Sequence, residues 1–254
     1  EFEYDWRGRQ LHVFPPADDA GRVVYTTATY DNLDRAVRQA RYLEIVAGTD
    51  RLLARGHTFF DDRGRVFPTA RYPIAPAPAA VGNALVSHTR FDAAGNVIKQ
   101  QPAGSQAFTK TVFDSLGRAV KQYLGHDADE TAVSSSSSSS SSSGSGLPAP
   151  FPSPGTYSDA SSITGDTIVE QSETIYDDAG NVTMTTTRER FHNATGTGEL
   201  TSPSGSQPKA RVSYVCLWHD SVGRQKAVAN YGTNGGTAVT RPSTVPTRSD
   251  TILV

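Results

Sequence analysis

The chain has 254 residues, with 24 Lys and Arg against 26 Asp and Glu and a formal net charge of -2. That length makes one large domain or two modest ones, and the near-neutral balance argues against a nucleic-acid binder, which would need a basic face. No apolar run approaches the roughly 18–20 residues a membrane-crossing helix needs, no secretory signal is visible, and the single cysteine, Cys216, excludes an internal disulfide framework and a Cys-based zinc cluster.

One hexapeptide recurs along the chain. It begins at Tyr4, Tyr30, Phe60, Phe91, Phe113, Tyr176 and His219, with starts 26, 30, 31, 22, 63 and 43 residues apart. Each copy reads aromatic-Asp-x-x-Gly-Arg/Asn. The aspartates are Asp5, Asp31, Asp61, Asp92, Asp114, Asp177 and Asp220, and the glycines are Gly8, Gly64, Gly95, Gly117, Gly180 and Gly223. In the second copy Asp34 stands in the glycine slot. Asp at the first position of a type I turn accepts bonds from backbone N–H groups further on. Gly at the fourth supplies positive φ at no steric cost. Together they close a hairpin with a G1 bulge. The aromatic ends the incoming strand and covers its neighbour across the hairpin. Asp tolerates the left-handed region better than most residues, so the second hairpin forms with some strain.

The flanks agree. Val23–Thr29, Ala107–Val112, Thr167–Ile175 and Ala210–Trp218 lead into turns; Val97–Gln100, Ala119–Tyr123 and Val182–Thr187 lead out. All are rich in β-branched or aromatic residues and of strand length. Arg35 to Ile45 comes nearest to a helical pattern, but its place after a turn makes it strand. In Thr167–Tyr176, alternation puts Ile168, Glu170, Ser172, Thr174 and Tyr176 on one face and Val169, Gln171, Glu173 and Ile175 on the other. Neither is continuously apolar, which favours a single-layer strip over a sandwich.

Three stretches interrupt the repeats. The longest carries the serine run Ser134–Ser143 and a Pro-rich tail, a composition of flexible loops. Pro73–Pro78 favours polyproline structure, and Asn193–Gln207 is rich in Gly, Ser and Thr. All three are expected on one rim or face. The organisation predicted is therefore hairpins over 1–125, a low-complexity insertion over 126–165, and hairpins with the start of a further repeat over 166–254.

Candidate chemistry yields to simpler readings. Asp61-Asp62 and Asp177-Asp178 lack the alternating oxygen ligands and terminal Glu of a calcium loop. Cys216 and His219 stand three apart in a strand and point to opposite faces, so they make no nucleophile pair. The histidines form no metal-ligand motif, and Gly232–Gly236 is a turn rather than a phosphate loop, since no helix or Lys follows it. Recurrent aromatics could form a sugar-binding surface, but their position is that of cross-strand packing. Asn181-Val-Thr and Asn193-Ala-Thr match glycosylation sequons.

The seven motifs resemble the YD repeat of the Rhs family, which includes shell components of insecticidal toxin complexes and the teneurins. The resemblance spans Tyr4 to about Tyr231. It implies an all-β fold of consecutive antiparallel hairpins in one strip that spirals into a hollow shell or open wrap. It also implies an extracellular or cell-surface setting, no cofactor and no catalysis. Neighbouring YD repeats of a longer chain would be its partners, with an enclosed effector domain or surface glycans beyond them. Neither nucleic acid nor membrane insertion is implied. The Asp-Pro-x-Gly segment and the divergent toxin domain of that family are missing. The chain is read as an internal fragment, with an adhesin-like surface module as the alternative.

Overall fold

The computed structural model describes residues 1–45, 50–75, 81–127, 157–249 and 252–254. Among them run fourteen strands: β1 Phe2–Tyr4, β2 Gln10–Val13, β3 Val24–Tyr30, β4 Ala36–Leu43, β5 Arg51–Phe60, β6 Val66–Tyr72, β7 Leu85–Phe91, β8 Val97–Gln101, β9 Ala107–Phe113, β10 Ala119–His126, β11 Thr167–Tyr176, β12 Val182–Arg190, β13 Ala210–His219 and β14 Gln225–Gly232. Strand order in the sheet is chain order from β1 to β14, and the pairings resolved along it are antiparallel. The fold is all-β, built of consecutive hairpins. The stretch Arg35 to Ile45 contains β4 and no helix.

The described residues fall into two compact units. One comprises Glu1–Thr89 with Pro102–Gly104; the other takes the described residues from Arg90 onward, apart from those three. In the first unit the buried apolar positions among the described residues are the small residues Ala40, Pro68 and Ala70. Rings line the same face: Phe14 stacks on Tyr25 at 4.9 Å, and Tyr25 on Tyr42 at 5.4 Å. Cross-strand ring pairs of this kind take the place of an aliphatic core.

The second unit has two buried apolar clusters on its sheet. Tyr123, Ile168, Leu200 and Ala210 form one; Met184, Val212, Tyr214, Cys216, Trp218, Ala229 and Tyr231 form the other. β13 shows why, since Ala210, Val212, Tyr214, Cys216 and Trp218 alternate strictly with more exposed residues. Each cluster is covered by a non-strand segment. The β12–β13 connection returns over the sheet, where Leu200 is 3% exposed and its N–H bonds Gln171 Oε1 at 2.8 Å. Val239 and Ile252 pack on the other cluster, and Arg241 Nε bonds the Leu217 carbonyl at 2.9 Å. The Gly/Ser/Thr-rich stretch thus lies across a face of its sheet as a cover.

A bulge alters the facing expected in β11. Leu124 pairs with Glu170 and Gly125 with Ile168, leaving Val169 as the extra residue. Parity flips there, so Ile168 shares the buried face with Gln171 rather than opposing it. The serine run Ser134–Ser143 and residues 76–78 of the proline stretch lie outside the described residues. Residues 157–161, at the end of the expected insertion, form a short helix, α1 Tyr157–Ser161, beside β8 and β9.

Candidate functional site

The repeated turn is the most developed constellation in the molecule. In every copy the Asp N–H donates to the carbonyl four residues on, at 2.9 to 3.0 Å, and the residue in the glycine slot donates to the Asp carbonyl. Gly8, Gly64, Gly95, Gly117, Gly180 and Gly223 have φ between 76° and 101°, and Asp34 has φ of 63°. The register shifts beside the aromatic in hairpins such as β3–β4 and β11–β12, as a G1 bulge requires. Tyr30 then faces Ala36, Phe113 faces Ala119, and Tyr176 faces Val182.

The Asp side chain is divided between two tasks. In the Phe113 copy, Asp114 Oδ1 accepts from Leu116 N and Arg118 N, both at 2.9 Å. Its Oδ2 accepts Arg118 Nε at 2.7 Å. Asp5 with Arg9, Asp31 with Arg35, Asp61 with Arg65 and Asp220 with Arg224 repeat the arrangement. Where Asn follows the glycine, Asn96 and Asn181 donate Nδ2 to Asp92 and Asp177. Backbone N–H donation from Arg118 and Arg224, outweighing burial, holds the Asp114 and Asp220 carboxyls below the usual range; at Asp177 the leading cause is the Asn181 side chain.

The arginine also reaches the next repeat. The Arg9 guanidinium lies 5.0 Å from the Tyr30 ring centre, Arg35 lies 4.4 Å from Phe60, and Arg118 lies 4.6 Å from Tyr176. Arg9 Nη1 bonds the Asp31 carbonyl at 3.1 Å and Asp34 Oδ1 at 2.8 Å; Arg118 Nη1 bonds the Asp177 carbonyl at 3.3 Å. In these three copies the guanidinium is therefore fixed by its own Asp and stacked on the aromatic of the following hairpin, which gives the ladder a direction; the Arg224 side chain keeps its Asp220 bond but is 81% exposed. Asp34, which lacks the conformational ease of glycine, instead supplies a carboxylate to Arg7 and Arg9.

One further turn has the same geometry and escapes the hexapeptide. Asp18 N–H bonds the Arg22 carbonyl at 2.9 Å, Gly21 N–H bonds the Asp18 carbonyl at 2.8 Å, and Arg22 Nε bonds Asp18 Oδ2 at 2.8 Å. Ala17 precedes Asp18, so a motif that demands an aromatic passes over it. The signal Asp-x-x-Gly-Arg was nevertheless present.

A second polar cluster has no local signature. Lys110 Nζ bonds Asp166 Oδ2 at 2.6 Å and the Ser162 carbonyl at 2.7 Å, with both ion-pair side chains almost fully buried. Lys99 pairs directly with Lys110 across β8 and β9. Both ammonium groups sit over the Phe108 ring, at 4.7 and 4.6 Å. Burial, then the charge of Lys110, lowers Lys99 to about 8. Burial pushes the Asp166 carboxyl up, against the pull of Lys110. Lys99 is 7% exposed, so this is a strand-to-loop lock and not an accessible nucleophile.

Cys216 is completely buried in its apolar cluster, which raises its thiol pKa, and His219 is the last residue of β13, paired with Gln225. Asn181 of the first sequon is engaged by its own turn. Among the described residues no three His, Cys, Asp or Glu side chains come together as a metal site, and no helix is long and apolar enough to cross a membrane.

No family model matches the sequence, and no curated protein does. Among solved structures, the chain is similar to the one titled "Crystal Structure of TcdB2-TccC3-Cdc42", at 11% identity and a TM-score of 0.37 over 91% of this chain. "Crystal Structure of TcdB2-TccC3 without hypervariable C-terminal region" follows at 10% and 0.32 over 91%, and "Crystal Structure of TcdB2-TccC3-TEV" at 13% and 0.30 over 90%. The chain spans 9%, 11% and 13% of those chains. At such scores the fold assignment rests on the strand topology itself.

Proposed function

We propose that this chain is a YD-repeat segment of a larger secreted or cell-surface protein of Rhs type, and that its work is structural. It builds sheet, hairpin upon hairpin, in a wall that surrounds an effector domain. It carries out no chemistry of its own. The observation that supports this reading is the Arg ladder. Each turn Asp is engaged by its own turn, and Arg9, Arg35 and Arg118 each reach from their own Asp to the aromatic of the next hairpin. A catalytic or metal-binding loop would leave such groups open to a ligand.

In this reading Tyr4, Tyr30, Phe60, Phe91, Phe113, Tyr176 and His219 are the steps of the ladder. The Asp and Gly of each turn set hairpin register. The partners are neighbouring repeats of the same longer chain and the domain they enclose. The test is negative-stain electron microscopy of the intact native protein, combined with limited proteolysis. A closed hollow particle with a protease-resistant internal domain is expected. An open filament with every domain digested at the same rate would overturn enclosure.

A further inference from the structure

Gly56 sits in the middle of β5 without an internal reason to be glycine. Its φ lies outside the left-handed region, and an added Cβ would meet only the Ala70 carbonyl oxygen, at an ordinary 3.6 Å. Glycine inside a strand costs stability, and often marks a place where something approaches the backbone closely.

The surroundings of Gly56 say what could approach. Register puts Gln39 on one side of Gly56 and Arg71 on the other. The next position on that face, Ala54, lies opposite Arg41, which in turn faces Thr26. These residues line a hollow of about 360 Å³, within the range of small-ligand sites. Its floor is backbone, Gly56 and the methyl of Ala54. Arg55 and Tyr72 also border it, the guanidinium 4.4 Å from the ring centre, and round it stand two further guanidiniums, one amide and one hydroxyl, from Arg41, Arg71, Gln39 and Thr26. None of these four side chains has a polar partner among the described residues, and no acidic side chain lines the hollow. Arg9, Arg35 and Arg65, from the turns of this unit, are held by their own aspartates.

We propose that this hollow binds an anionic sugar unit, bearing a carboxylate or a sulfate. Guanidinium takes either oxyanion in a bidentate grip. Gln39 and Thr26 offer donors and acceptors for hydroxyls. The bare floor lets a ring lie flat on the backbone. An acidic peptide would need pockets for alternate side chains, which this floor lacks, and a nucleotide would need an open aromatic face to stack its base, whereas the one aromatic at the hollow, Tyr72, has its ring engaged by Arg55 at 4.4 Å and by His57 at 5.4 Å. The site is independent of the wall-building role, since a segment can build sheet with or without it.

The experiment is calorimetric titration of the full chain with a heparin-derived hexasaccharide and, separately, a galacturonate hexamer. Maltohexaose and a thymidine decamer serve as controls. Saturable binding of at least one anionic sugar, weakened by salt and absent for maltohexaose, is expected. Arg41→Gln and Arg71→Gln should each weaken it at least tenfold, with the circular dichroism spectrum unchanged. Gly56→Val should abolish binding while the melting temperature stays level or rises, a combination that a purely structural glycine would not give. Should Gly56→Val misfold, the two arginine variants decide alone. Failure of both anionic sugars to bind, tighter binding of the decamer, or arginine variants that bind like the parent would each overturn the proposal.

Discussion

The turn aspartates accept backbone N–H groups with one oxygen and, in most copies, an arginine Nε with the other. Against burial, which is the largest single influence at Asp5, Asp31, Asp61 and Asp92, these bonds together hold the carboxyls of Asp5, Asp18, Asp31, Asp61, Asp92, Asp114, Asp177 and Asp220 below the ordinary range. A carboxyl depressed by folding stabilises above its unfolded pKa, and that stability is lost as pH falls through the folded value. The melting temperature should therefore fall steeply below about pH 4, the unfolded Asp range. Asp114→Asn should remove part of that dependence; a slope identical to the parent's would contradict the turn assignment. Lys99 carries the opposite sign. Its ammonium form is disfavoured in the fold, where it titrates near 8, against 10.4 for a free lysine. The unfolded state holds more protons between those values, so stability rises with pH there. Between pH 8 and 9.5, below the tyrosine range, the parent should gain melting temperature and Lys99→Met should not.

At the scale of the hairpin, the glycine slot decides whether the turn closes. Gly117 has φ of 76°, and an added Cβ would have room, with Asn96 Oδ1 at 3.7 Å as the nearest atom. Backbone strain alone therefore sets the penalty. Gly117→Val should cost more than about 1 kcal/mol in urea unfolding, because a β-branched residue is driven to positive φ. An unchanged midpoint would remove the turn from the ladder. These hairpins were legible because Asp and Gly act locally, within five residues. The Asp18 turn was hidden only by insisting on an aromatic before the Asp. The facing of Ile168 was not legible, because the bulge at Val169 depends on how β11 meets β10. Nor was the Lys110–Asp166 bond, whose partners are 56 residues apart and carry no periodic signal.

Among the described strands, pairing follows chain order, so contacts between strands are nearly all between neighbours. Such molecules behave as quasi-one-dimensional arrays whose stability is summed locally. The local sums differ greatly. Among its described residues, the unit from Glu1 to Thr89 buries only Ala40, Pro68 and Ala70 of its apolar side chains. The other buries two clusters under returning loops, with Ile168, Ala210, Cys216 and Ala229 at 0% exposure. The weak alternation in the sequence suggested a bare strip throughout; the covers were missed because Leu200 is a lone apolar residue in a Gly/Ser/Thr-rich stretch. Leu200→Ala should cost about 2–4 kcal/mol by leaving a cavity over Tyr123 and Ile168. Amide exchange should then separate the regions. Amides of β11 to β13 should exchange slowest and those of β1 to β4 orders of magnitude faster, with unfolding in two steps. Leu200→Ala should lower only the later step, because its neighbours all lie in the better-buried unit. Uniform protection and one cooperative transition would mean that the ladder of arginines and rings transmits stability along the sheet as effectively as an apolar core does.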